Sequence, residues 1–543
     1  MSHLEARAGW DRPAGGGTND IDAGAMTTYD MNRPAALPRA FPHATFAHTA
    51  GTLVLATVAT AFPVAAHFSG HAIGLAACVV LGMLIANFAT AIVPPVLIFS
   101  YLFQNLFVAL VSPHLGSLDD FNAIRAYNFV LTAAAWTVVA AHYFTSRQSF
   151  DRRLRRLMDV SFLALGIVAI YFAIGLASNP KGAAVYLRNI ATPFMLFHCF
   201  ALIGYRFRIA VQGAFVVMAW TLVAYGYGEA LMQERLFELT NGGTYVELSS
   251  RVNDPAAWLK ELQQYGRVLR SYFDTLAVDF LNTPLLGDLR ITVHRLLGPN
   301  FHAISYAYAL AFFALVLAAS GNVLYVLAAA PLLVLIGSKG AIVLVIAAIA
   351  GLIVSRFIRW HGLFWLYVAA LLAWAAAGIV IGLRAGDYHV IGFLGGLENF
   401  AHHPLGQGLG SGGNLRLDTT QIDWSRSQQL GQTDVAVESA IGVMLSQMGF
   451  GAIAILLAAL WIVWRVWTLY MHTGDRLTGI AALGLFAILV NGIFQEEALF
   501  APLAFGTMMA LAGLLLGRSC RAETAAEPRS AFGGADLRQA ARS

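Results

Sequence analysis

The sequence predicts an all-α protein, a polytopic transmembrane bundle of about fourteen spans, at roughly 20 apolar residues each, with two large polar loops on one face. Three observations carry this. The 543 residues are 58% hydrophobic and only 12% charged. Apolar runs of about 16 to 23 residues recur along most of the chain, close to what a hydrocarbon layer of about 30 Å requires. Two stretches interrupt that rhythm with polar sequence, at 228–302 and 384–438. Hydrocarbon cannot satisfy irregular backbone, so both must reach water.

Residues 1–45 are rich in Gly, Ala, Pro and Asp and lack an apolar period, which reads as a disordered cytoplasmic head. The first apolar run, near Thr45 to Phe68, has no adjoining basic region of signal-peptide type and reads as an uncleaved first span. Further spans are expected near Ala72 to Ala91, Pro95 to Val111, Phe129 to Phe144, Val160 to Ala177, Ile190 to Tyr205 and Ile209 to Tyr227. The remainder fall near Ala303 to Ser320, Val323 to Gly337, Ala341 to Ser355, Leu363 to Leu383, Ala440 to Val463, Ile480 to Ile493 and Leu499 to Gly517. Residues 518–543 form a tail.

Orientation follows from Lys and Arg in the short loops, which stay cytoplasmic. With the head inside, eleven basic residues fall in inner short loops, five of them between Arg147 and Arg156, against four outside: Arg125, Lys181, Arg188 and Lys339. Both polar loops are therefore expected on the outer face and both termini inside. The net charge of +4 is spread thinly, which excludes nucleic acid as a partner. Cys78, Cys199 and Cys520 show no metal-ligand spacing, so no metal is expected.

In the first loop, Trp258, Leu262, Tyr265, Leu269 and Phe273 recur at helical spacing and predict an amphipathic helix along the outer interface. The chain returns through GDLRITVHRLLGPNFHAISY, where Arg290 and Arg295 arrive just before a span. Arginine at that depth is costly unless it meets an anion, and its planar fork suits phosphate oxygens. Lys339, in a three-residue turn between spans, is either a snorkelling lysine or a fixed charge for an anionic headgroup. Arg384 directly follows a span. The glycines after it, Gly406, Gly408 and Gly410, are either turn residues or a backbone nest for a ligand. His402 and His403 are surface residues or a base. Glu438 heads the next helix as a cap or as a general base.

Three segments here resemble the O-antigen ligase and O-antigen polymerase superfamily of membrane glycosyltransferases. SKGAIVLVIAAIAGLIV is similar to its S-R-G-A turn, HHPLGQGLGSGG to its N-P-L-x-G-x-G loop, and VESAIGVMLSQMGFGAIAILLAAL to the helix that follows. RLLGPNFHAISYAYAL resembles the entry to the preceding span, so the likeness covers about 290–517. It implies an outer-face glycosyltransferase of the bacterial inner membrane that polymerises or ligates polyprenyl-diphosphate-linked saccharide, without a cofactor, alongside other polysaccharide-assembly proteins. Diphosphate binding would carry over to Lys339, Arg384 and Arg295, with Arg290 beside them. Lysine replaces the usual arginine at 339, which keeps charge but loses the bidentate fork. Where the ligase branch has a histidine, this chain has Glu438-Ser439, which favours polymerase over ligase. A flippase or transporter for the same lipid-linked saccharide is the competing reading, although no internal repeat and no mid-membrane charge supports it. A membrane scaffold is the third, and leaves the two loops unexplained.

Overall fold

The computed structural model describes residues 45–209, 212–250, 262, 273, 276–279, 292–358, 362–414, 424–431, 433 and 435–526. The expected head, Arg290 and most of the predicted interfacial helix lie outside these residues. The chain begins with α1 (Phe46–Ala66), α2 (His71–Phe88), α3 (Val93–Val111), the short α4 (Leu118–Arg125), α5 (Tyr127–Thr145) and α6 (Arg152–Gly175). It continues through α7 (Pro180–Arg206), α8 (Gln212–Thr240) and α9 (Gly242–Ser250) to a two-stranded antiparallel pair, Ala277–Asp279 with Thr292–His294. Then follow α10 (Ala303–Ala319), α11 (Val323–Ile336), α12 (Lys339–Phe357), α13 (Gly362–Ala385), α14 (Tyr388–His402) and α15 (Trp424–Leu430). The last elements are α16 (Ala440–Met448), α17 (Phe450–Thr473), α18 (Arg476–Asn491), α19 (Glu496–Phe500) and α20 (Thr507–Ala526).

Among the described residues, eleven helical segments are long and apolar enough to cross a membrane, and α10, α11 and α18 are shorter apolar helices. Each of the expected spans falls on one of these. The burial pattern explains why the apolar period along many of them is weak. In α12 and α13 most of the apolar residues face outward, including Ile346, Ile353, Trp365, Leu366 and Leu372, as suits a lipid-facing wall. By contrast α7, α10, α18 and α20 are buried nearly all round and form the centre of the bundle. Small residues permit the closest approach there. A Cβ on Gly517 would collide with the backbone of Ala201, and one on Gly513 with Phe197, so α20 lies backbone to backbone on α7.

Four expectations are corrected. Residues 388–402 are helix, not loop: Asp387 caps α14 by accepting from His389 N at 2.9 Å, and Gly392, Gly395 and Gly396 let it press on Val437, Thr433 and Gly442. The span expected over Ala440 to Val463 is broken at Gly449, whose φ of 52° and ψ of −127° separate α16 from α17. Glycine is required because a side chain there would collide with Pro404 O. Helix α8 runs on to Thr240, past the expected start of the first loop, with a kink at Met232. The tail begins later than expected, because α20 continues to Ala526.

Candidate functional site

Chain direction alternates from helix to helix, so one end of the bundle collects the start of α10, α12, α16 and α20 and the end of α13 and α18. Lys339, Arg295 and Glu438 lie at this end. Lys339 is the exposed first residue of α12. Its position is set by the neighbouring Gly340, whose missing side chain lets Gln495 and Tyr308 come into contact. Asn491 Nδ2 donates to Gly340 O at 2.8 Å, and Tyr308 Oη donates to Gln495 Oε1 at 2.8 Å. Lys339 lies within electrostatic reach of Asp387 and Arg295.

Arg295 is held by backbone geometry. Its N–H donates to Leu276 O at 2.8 Å, and the two amides that follow it in the next turn, Leu297 N and Gly298 N, donate to the buried carboxylate of Glu229 at 2.8 and 2.9 Å. Among the described residues the buried Arg295 Nε has no hydrogen-bond partner. A buried cationic donor left unpaired is expensive, and a bound anion removes that cost. His302 caps α10, its Nδ1 accepting from Ser305 N at 3.3 Å. The protein around its ring, then Arg125 and Arg295, hold its pKa below the ordinary imidazole value, although the residue keeps much of its surface accessible.

Within electrostatic reach of Arg295 stands Glu497, and Glu438 and Glu496 are grouped with it. Glu438 has a φ of 60°, a left-handed conformation that costs a residue with a Cβ about 1 kcal/mol or more. It does not cap α16. That role belongs to Ser439, whose Oγ accepts from Gly442 N at 3.2 Å. Ser439 Oγ and Ile441 N both donate to Gly492 O, at 3.3 and 3.0 Å, and so tie the Glu438 segment to the turn that leads into α19. On α19, Glu496 accepts from Tyr186 Oη and from Asn414 Nδ2, both at 2.9 Å. Burial, then Glu438 and Glu497, raise Glu496 to about 8; burial and Glu438 raise Glu497 to about 7, against the pull of Arg295. Both glutamates are half-buried, with protein on most sides and part of their surface accessible. A separate cavity between Ile190, Phe194, Met444 and Leu489 is apolar and, at about 20 Å³, too small for a saccharide.

Of the residues the sequence singles out, the structure brings Lys339, Arg295 and Glu438 to this end of the bundle. His402 and His403 it places elsewhere: Glu438 O lies 3.4 Å from His389 Nδ1 near the start of α14, whereas His402 ends that helix, about 20 Å away at 1.5 Å per residue. Both histidines are exposed. Arg384 is exposed in the last turn of α13 and forms no ion pair among the described residues. The acid beyond it, Asp387, is what approaches Lys339. The nest reading of the glycine loop is also corrected. Gly406 N donates to His403 O, Gly408 N to Gln447 O and Gly410 N to Gln447 Oε1, so these amides are occupied. Positive φ at all three serves close packing, Gly408 on Gly175 and Gly410 on Gly182–Ala183.

Glu496 and Glu497 are the candidates that motif matching passes over. Their signal is QEEALF itself, two adjacent carboxylates in a short turn between apolar helices, where charge is costly unless it has a use.

By the length and composition of its helices the chain is a multi-pass helical membrane protein. Compared with known protein families, the sequence matches none, and no curated protein gives a significant match.

Proposed function

We propose that the protein is a membrane glycosyltransferase that uses a polyprenyl-diphosphate-linked saccharide as donor and joins repeat units in the synthesis of a cell-envelope polysaccharide. One observation supports this above all: charges from separate segments neighbour one another at one end of the bundle, Lys339 within electrostatic reach of Arg295, Arg295 within that of Glu497, and Glu497 within that of Glu438 and Glu496. In the reaction, an acceptor hydroxyl oxygen bonds to the anomeric carbon of the donor while the bond from that carbon to the diphosphate oxygen breaks. The electron pair leaves with the lipid diphosphate, where Lys339 and Arg295 neutralise the charge that develops. The hydroxyl proton passes to a carboxylate. Two carboxyls that titrate near neutrality are suited to taking that proton and releasing it to water.

Purified protein in proteoliposomes with lipid-linked oligosaccharide tests the reading. Longer saccharide chains on lipid are the expected product. Translocation of the lipid without lengthening would replace this reading by the transporter, and transfer to a different lipid acceptor would make the enzyme a ligase.

The same reading places this cluster on the outer face. Asn414 is exposed and donates to Glu496, and the three native cysteines are buried. Asn414→Cys should therefore react with an impermeant thiol reagent in intact cells, while Ser149→Cys, in the Arg-rich connection between α5 and α6, should react only after the membrane is opened. Labelling of the Ser149 variant alone in intact cells would invert the orientation and remove the cluster from the outer face.

A further inference from the structure

The turn that joins Arg295 to α10 is irregular backbone inside the protein. Leu296 through Phe301 are all buried, and buried amides outside a helix or strand need partners of their own. Two bonds close the turn on itself: Phe301 N donates to Gly298 O and His302 N to Leu297 O, both at 3.1 Å. A third comes from α3, where Asn105 Nδ2 donates to Asn300 O at 2.7 Å. The remaining partner is a carboxylate. Glu229 of α8, 0% exposed, accepts from Leu297 N through Oε1 at 2.8 Å and from Gly298 N through Oε2 at 2.9 Å.

Two consecutive amides aimed at one side chain call for two acceptor atoms. A carboxylate has both, whereas a carboxamide in its place would set an N–H against an N–H. Burying the charged group is costly, and two charge-assisted hydrogen bonds offset that cost. The rest of the packing leaves the turn little freedom. Gly298 has a φ of 67°, and a side chain there would collide with the ring of Tyr306, whose Oη is itself tied to Leu222 O of α8 at 2.7 Å.

Glu229 grips backbone and not the guanidinium. Arg295 forms no ion pair among the described residues, and its buried Nε has no hydrogen-bond partner among them. A carboxylate set on the guanidinium would neutralise the cation and compete with an anionic ligand. Bound two and three residues further along, it orders the arginine and leaves its charge available.

We propose that Glu229 is a positioning residue: by holding Leu297 N and Gly298 N it fixes the turn before any ligand arrives, and so presents the Arg295 guanidinium to a diphosphate in one orientation. This rests on the glycosyltransferase reading only in taking diphosphate as the ligand of Arg295.

The test uses the full chain in phosphatidylcholine nanodiscs, titrated with inorganic pyrophosphate in a calorimeter. Arg295→Gln should weaken binding about tenfold, and Glu229→Gln should weaken it by a similar factor. The double variant should bind no more weakly than Arg295→Gln alone, because both changes remove the same contact. Wild-type affinity in Glu229→Gln overturns the proposal. So does a double variant whose loss is the product of the two single losses, since Glu229 then supports the fold independently of the arginine. Absence of pyrophosphate binding by wild type overturns it as well. Hydrogen exchange on the wild-type chain needs no variant to fold: the amides of Leu297 and Gly298 should exchange slowly, and equally slowly with and without pyrophosphate. Fast exchange that pyrophosphate alone suppresses would show that the ligand orders the turn, and the proposal falls. Should the binding and exchange results come out as expected while proteoliposomes make no longer saccharide, the positioning role stands and the glycosyltransferase reading fails.

Discussion

Lys339→Ala should reduce saccharide transfer by more than tenfold with the protein still folded in the membrane, while Lys339→Arg should keep most of the activity. The lysine is exposed at the first residue of α12, and its alanine variant removes a charge without opening the core. Removing one partner of a charge pair at an interface typically costs about 2 to 5 kcal/mol, and each 1.36 kcal/mol off the transition state is about a factor of ten in rate. Arginine keeps the charge and adds a fork, so a modest change in KM is expected and not a loss of kcat. Arg295→Gln should fall with Lys339→Ala, because Arg295 lies within its electrostatic reach and its buried Nε has no partner among the described residues. Arg384→Ala should be nearly neutral, given its exposure and lack of an ion pair among the described residues. Rates in proteoliposomes decide this, with membrane abundance as the control for folding. Full activity in both Lys339→Ala and Arg295→Gln would remove both cations from the reaction.

The carboxylates carry the other large effect. Glu438→Gln, Glu496→Gln and Glu497→Gln each preserve shape and hydrogen-bonding capacity but cannot accept a proton, and the one that serves as base should lose at least 100-fold in kcat. His402→Ala and His403→Ala should be active, since both residues sit at the far end of α14. With Glu496 at about 8 and Glu497 at about 7, a base drawn from α19 should give a rate that climbs with pH between about 6 and 8. Stability should move the other way. An unfolded glutamate ionises near 4.3, so between about 4.3 and 8 the folded state holds more protons than the unfolded chain. The stabilising contribution is thus fully present below pH 4.3, is lost as pH rises through 7 to 8, and levels off above. Melting temperature in detergent should fall across that window, and Glu496→Gln and Glu497→Gln should flatten the slope. A wild-type melting temperature independent of pH from 5 to 8.5 would contradict the raised carboxyls; active glutamine variants at all three positions would leave the proton to water or to the departing diphosphate.

Composition and apolar run length determine, from the chain alone, that this is a multi-pass helical protein and approximately where its helices lie, because the hydrocarbon thickness selects segment length and backbone hydrogen bonding selects helix. Lys339 and Arg295 stand out in sequence for a related reason: a lone charge at the end of an apolar segment needs an explanation wherever the chain folds. What the sequence does not determine is which charged residues meet. Glu438 and Glu496 are 58 residues apart and come together because Ser439 and Ile441 bond to Gly492 O. His402 and Glu438 look like neighbours across one loop until residues 388–402 become a helix that carries the histidines away. The glycines of HHPLGQGLGSGG carry the same positive φ whether they cradle a ligand or let the loop lie against α6 and α7, and only the partners of their amides distinguish the two. Cap and base at Glu438 separate for the same reason: the identity of the cap depends on whether residue 438 or 439 begins the helix, a single-residue choice set by the tertiary contact with Gly492 and not by local propensity.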